Sequence, residues 1–237
     1  RITPTKRLLM WMKINSNVFM ALLLGLSFGA NSHAAVFGFD CITNNNATDC
    51  TAVEAQLSMT VTEVDSNTVS FVFTNSGSLA SSITDIYFDF GDAPNYLSLL
   101  ISPTIINSPD TVSFSLGATP INLPGGQDYN FTADTGMDSD HRRPGVQANG
   151  INPGESLEVR FSLAESDTFN NLLAELSALD SSILRVGLHV QGLANGGSES
   201  FINNGGNTPV PEPATMAILG VGLAGLGLTR RRKNWKA

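Results

Sequence analysis

The residue types that could carry chemistry in this 237-residue chain are few. Cys41 and Cys50 are the only cysteines, nine positions apart. In an exported chain an isolated pair reads as a disulfide. It would close a loop of about ten residues and stabilise by roughly 2.5–3 kcal/mol on the chain-entropy model. A zinc site would want four ligands, and no histidine lies nearby. Asp134, Asp138 and Asp140 fall within seven residues, with Asp128 just upstream. Clustered carboxylates are what calcium prefers, but the spacing does not match the EF-hand loop. The same residues read more simply as a solvated acidic loop neutralised by Arg142 and Arg143, so no cofactor is expected and calcium is the rival reading.

Catalytic patterns are missing: there is no Gly-x-Ser-x-Gly, His-Glu-x-x-His or phosphate-binding glycine loop. His33 falls in an expected cleavage region. His141 sits beside Arg142 in the acidic stretch. His189 shares a strand face with Arg185 and Gln191 and is expected to be solvated. Carboxylate pairs could hydrolyse glycosides, but any acid-rich domain offers many. Thr60-Val61-Thr62 is a single instance with no repeat, so a threonine ice-binding array is not expected. The chain reads as a non-enzyme.

Charge is partitioned. Arg1, Lys6, Arg7 and Lys13 precede the first apolar run, and Arg230, Arg231, Arg232, Lys233 and Lys236 follow the last. The middle region, residues 35–209, holds only Arg142, Arg143, Arg160 and Arg185 against 20 of the 21 acidic residues (the other is Glu212), and 4 − 20 leaves −16. Such a middle region repels nucleic acid and anionic membrane surfaces.

At the N-terminus, Met12-Lys13 and a polar stretch lead into the apolar run Val18 to Ala30, then Ser32-His33-Ala34. A basic start, a short apolar run and small residues before the cut make a secretory signal peptide, so residues 1–34 are expected to be upstream sequence and signal, with Met12 the start. At the C-terminus, Val210-Pro211-Glu212-Pro213 precedes a 16-residue apolar segment from Ala214 to Thr229, then Arg230, Arg231, Arg232 and Lys233. As a helix that segment spans about 24 Å, short for a hydrocarbon core of about 30 Å. The basic cluster stays cytoplasmic, which puts the middle region outside the inner membrane. Pro-Glu-Pro, a Gly-rich span and an arginine cluster, in that order, resemble the PEP-CTERM sorting signal of exported proteins in exopolysaccharide-producing Gram-negative bacteria. The resemblance covers residues 210–233. It implies an exosortase, a membrane-embedded processing enzyme, acting near Pro211-Glu212-Pro213. The opening Phe39-Asp40-Cys41-Ile42-Thr43-Asn44-Asn45 is similar to that of other PEP-CTERM proteins and implies no activity.

These features need a scaffold. Val53, Ala55, Leu57, Met59 and Val61 alternate with polar residues, the mark of a half-buried strand. Asp65-Ser66-Asn67 turns the chain, and Val69, Phe71 and Phe73 resume the alternation, predicting a hairpin. Further strands are predicted over 86–90, 112–116, 157–163 and 184–190. Phe169, Leu172, Leu173, Leu176 and Leu179 follow helical spacing, predicting a helix over 168–179 capped by Ser166 or Asp167. Thr119 to Asn152 reads as a long functional or mobile loop. Together these predict a mainly all-β fold, an antiparallel two-sheet β-sandwich with one short helix over 35–194. A terminal signal helix and a transmembrane helix flank it, with a Gly/Asn/Ser-rich tether over 195–209 and the sorting tail over 210–237. The expected role is a structural or adhesive module at the cell surface, anchored in the inner membrane before processing by an exosortase and associated with exopolysaccharide. A glycan-binding module, with or without calcium, is the rival, and a secreted hydrolase is third.

Overall fold

The chain folds around β-strands whose apolar residues recur at every second position. The computed structural model describes residues 33–91, 101–106, 112–139, 149–164, 167–178 and 180–209. In chain order the elements are β1 (Ala34–Cys41), α1 (Ala47–Glu54), β2 (Leu57–Asp65), β3 (Thr68–Asn75), β4 (Ser82–Asp89), β5 (Ile101–Ile106), β6 (Phe114–Leu116), β7 (Thr135–Ser139), β8 (Ser156–Ser162), α2 (Phe169–Ala178), β9 (Arg185–Gln191) and β10 (Ser198–Pro209). The described residues belong to the compact unit Ser32–Pro211. The expected signal segment and the apolar span of the tail lie outside the described residues. Among the described residues no helix is long and apolar enough to cross a membrane.

The expected sandwich of two sheets is replaced by one ten-stranded antiparallel sheet, ordered β5-β8-β3-β2-β1-β10-β9-β4-β7-β6. The sheet rolls upon itself. Phe71 on β3 and Phe88 on β4 are separated by four strands in that order, yet their rings meet edge to face at 5.5 Å. Phe88 also meets Phe161 of β8 at 4.8 Å. One interior therefore receives side chains from both ends of the sheet. The reason for continuity is β10, which pairs with β1 along one edge and β9 along the other. The segment expected to be a flexible tether is thus a central strand. Its small and polar residues hid it, but Phe201 is fully buried and Asn203 donates to the Leu176 carbonyl at 3.1 Å.

The β2–β3 hairpin forms in the expected register, with Met59 opposite Phe73 and Val61 opposite Phe71. Asn67 N–H donates to the Asp65 carboxylate in the turn. The strand expected to begin at Val53 begins at Leu57 instead. Residues 47–54 form α1 because Asn46 caps it, accepting from the N–H groups of Thr48 and Asp49. α1 is too evenly polar for helical spacing to show in its sequence. α2 covers most of the expected range, and its cap is Thr168, whose Oγ1 accepts from Asn171 N–H at 3.2 Å. Within the expected long loop, residues 135–139 form β7, hydrogen-bonded between β4 and β6.

Candidate functional site

Strand parity puts Asp85, Tyr87 and Asp89 of β4 on the face opposite Ile86 and Phe88. On β9 the same face carries Arg185, Gly187 and His189. The antiparallel register sets Asp85 opposite His189, Tyr87 opposite Gly187 and Asp89 opposite Arg185. This outer face is not left to water. A second apolar cluster of Tyr87, Ala118, Leu123, Phe131 and Ile202 lies upon it. Gly187 permits the approach: a Cβ there would stand 2.7 Å from Leu123 Cδ2 and 3.0 Å from Phe131 Cζ. The covering segment descends from β6 through a 3-10 turn at Gly126–Tyr129 to β7.

Each charged group under the cover is answered. Arg185 is 6% exposed and Asp89 3%. The Arg185 guanidinium donates to the Asp89 carboxylate and to the carbonyls of Tyr129, at 2.8 Å, and Asn130. It also lies over the Phe131 ring at 5.2 Å, a favourable cation–π position. Asp89 accepts from Gly91 and Thr132 N–H as well. His189, expected to be solvated, is 9% exposed and its Nδ1 stands 3.0 Å from Asp85 Oδ2. Its burial comes from long-range strand pairing, between β4 on one side and β10 on the other. Tyr87 donates to the Pro120 carbonyl at 2.9 Å. Its burial, then the charges of Asp85 and Asp138, push the phenol well above its ordinary range.

On the cover's outer side is a cleft of about 500 Å³. Leu123 and Phe131 floor it. The amides of Asn122, Gln127 and Asn130 and the hydroxyls of Thr132 and Ser181 line the rest. No charged side chain is among them.

The disulfide expected between Cys41 and Cys50 is formed, with Cα atoms 5.7 Å apart. Beside it Glu199, 1% exposed, accepts from Thr43 Oγ1 and from the N–H groups of Asn45 and Asn46. The two sulfurs and Glu199 lie within 4.8 Å of one another, but sulfur bound to sulfur is not a thiolate, so this is a structural clasp and no metal site.

The structure does not bring Asp134 and Asp138 together. Asp134 and Asp138 stand at opposite ends of the extended run through β7, about 13 Å apart along it at about 3.3 Å per residue, so they cannot share one calcium. Asp134 accepts from Phe90 N–H at 2.7 Å. Asp138 is buried on the outer face opposite Asp85. Asp140, His141, Arg142 and Arg143 lie outside the described residues. So do Val210, Pro211, Glu212 and Pro213, and Arg230, Arg231, Arg232 and Lys233. Of the tyrosines, Tyr87 is fully buried and Tyr129 is 47% exposed. Sequence reasoning missed the Arg185–Asp89 and His189–Asp85 pairs. Their only trace was equal spacing: two acids four apart on one strand, two cationic residues four apart on another.

Comparison with known proteins gives one match: residues 209–233 fit the family model of the PEP-CTERM protein-sorting motif. No curated protein and no solved structure matches the chain. The motif marks an exported protein sorted at the membrane and processed by an exosortase.

Proposed function

We propose that this PEP-CTERM protein is a non-enzymatic component of the cell surface or extracellular matrix. Its β domain serves as a structural or adhesive module in contact with exopolysaccharide. One observation carries the reading: the sorting motif matched at residues 209–233 follows directly on the folded domain, whose last strand ends at Pro209. A domain joined so closely to a sorting signal is the cargo of that signal. The Cys41–Cys50 disulfide suits an oxidising compartment outside the cytoplasm. The charge of −16 over residues 35–209 disfavours nucleic acid and anionic lipid. The buried carboxylates Asp85 and Asp138 are neighbours across β4 and β7, but the cleft has no carboxylate lining, so its geometry lends no support to a hydrolase.

The tail sets the mechanism of release. Proline fixes φ and removes a donor, and it pushes the preceding residue out of the helical region. Val210 and Glu212 should be extended, which presents the motif to a protease as a strand. The intact mass of the protein from hosts with and without an exosortase tests this. Loss of residues 214–237 in the first host alone is expected. Their retention in both would reduce the tail to a plain anchor. Deleting residues 33–207 while keeping both ends tests the domain's role: cell-to-cell adhesion should fall, and unchanged adhesion would overturn the adhesive reading.

A further inference from the structure

We propose that the cleft on the covering segment is a binding site for a neutral glycan, one or two hexose units at a time. The proposal rests on the surface role given above and adds the site and the ligand class. The chemistry of the lining selects the class. Sugar hydroxyls donate and accept at once, and so do amides and hydroxyls. The cleft presents three amides, Asn122, Gln127 and Asn130, and two hydroxyls, Thr132 and Ser181. Among the described residues only the Asn122 Oδ1 atom is engaged, by Ala133 N–H at 3.2 Å. The other polar side-chain atoms keep their hydrogen-bonding capacity for a ligand. Leu123 and Phe131, both buried, close the bottom of the cleft and leave its polar lining to face a ligand.

Rival ligands fit less well. A metal ion would want carboxylates, and none lines the cleft. Among the described residues a uronate or sulfated polymer would meet no free cation: Arg185 is buried beneath Phe131 and committed to Asp89 and two carbonyls. An apolar ligand would leave the five polar side chains unmatched. The volume of about 500 Å³ lies within the range of small-molecule sites.

The site is also held ready. Arg185 clamps the carbonyls of Tyr129 and Asn130 from below, and Asp89 holds Thr132 N–H. Phe131 N–H donates to the Gly126 carbonyl at 3.0 Å. Gly125 and Asn130 sit at positive φ, 74° and 52°, closing the turn at both ends. A lining fixed before binding loses less entropy when the ligand arrives. The buried ion pair thus has a second role as the support of the cleft.

The test is calorimetric titration of the full chain in detergent with dextran, mannan and galactan, and with alginate as the charged arm. Millimolar or tighter binding to at least one neutral polymer, and weaker or no binding to alginate, is expected. The Gln127→Ala/Thr132→Val double variant should weaken that binding at least tenfold with an unchanged denaturation midpoint. Ser162→Ala, on an exposed strand end away from the cleft, should bind as the parent does. No binding to any neutral polymer, stronger binding to alginate, or full affinity in the double variant would overturn the site. If the double variant loses glycan binding yet cells keep their adhesion, the cleft stands and the adhesive role falls. If it binds fully while deletion of 33–207 abolishes adhesion, the cleft falls and the adhesive role stands.

Discussion

Strands β8, β3, β2 and β1 and strands β4 and β9 belong to one sheet, yet they are buried in two different ways. In the first group burial alternates: Leu57, Met59 and Val61 are covered while Ser58, Thr60 and Thr62 are partly open. In the second, every residue of β4 is buried, and all of β9 except Gln191. The difference teaches that alternation in a sequence reports one wet face and need not accompany every strand. β4 holds Asp85 and Asp89 at buried positions where His189 and Arg185 meet them, with the Thr84 hydroxyl and the Gly91 and Thr132 N–H groups as further donors. A buried charge without its partner is strongly destabilising.

The sharpest way to break this comparison uses one arginine from each half. Arg185→Met leaves Asp89 buried without its counter-charge, held only by the Gly91 and Thr132 N–H groups, and strips two carbonyls of their donor. A loss of about 3–5 kcal/mol is expected, read by urea denaturation. Arg160→Met removes a partner of Glu158 on the wet face of β8, where Arg160 is 43% exposed. There the midpoint should hardly move. Equal effects at the two sites would mean that the second face of β4 and β9 is not dry.

Next in size is the clasp beside the covered half. The double variant Cys41→Ser/Cys50→Ser should lose roughly 2.5–3 kcal/mol by releasing a loop of about ten residues in the unfolded chain. The parent should lose the same on reduction. A variant as stable as the parent would show that Glu199 and its three donors hold the 43–46 turn without the sulfurs.

Gly187 probes the cover itself. Gly187→Ala pushes a methyl into Leu123 and Phe131 and should cost about 1–3 kcal/mol. It should also weaken glycan binding, because those two side chains floor the cleft. A neutral substitution would place the cover further from the sheet than described.

The smallest effect comes from a half-buried acid that lacks a counter-charge. Glu175 on α2 has no hydrogen-bond partner at Oε2 among the described residues. Burial, then the charge of Asp167, raises its pKa from 4.5 to about 7. Between those values the native state holds the proton and the unfolded state does not. Its contribution is therefore fully present below 4.5 and is lost as pH rises through about 7. Glu175→Gln should flatten that decline and add on the order of 1 kcal/mol at pH 8, after allowance for solvent screening. A decline that persists unchanged in the variant would assign it to another group.

The sequence by itself determined the sorting tail, because its three parts are contiguous and each works through local physics: proline geometry, apolar length and positive charge. It determined the β2–β3 hairpin, β8 and α2, whose periodicities follow from one wet face. It also determined the disulfide, since only two cysteines exist to pair. Only the tertiary structure decided that Asn195 to Thr208 is mostly strand, for Ser198 to Ile202 pair with β9 and Phe201 to Pro209 pair along β1. It alone decided that β7 separates Asp134 from Asp138. It also decided that the seven cleft residues, drawn from positions 122 to 181, share one hollow. The physical reason is common to all three. A second buried face, a long-range strand pairing and a shared surface depend on residues tens to well over a hundred positions away, and no local pattern carries that information.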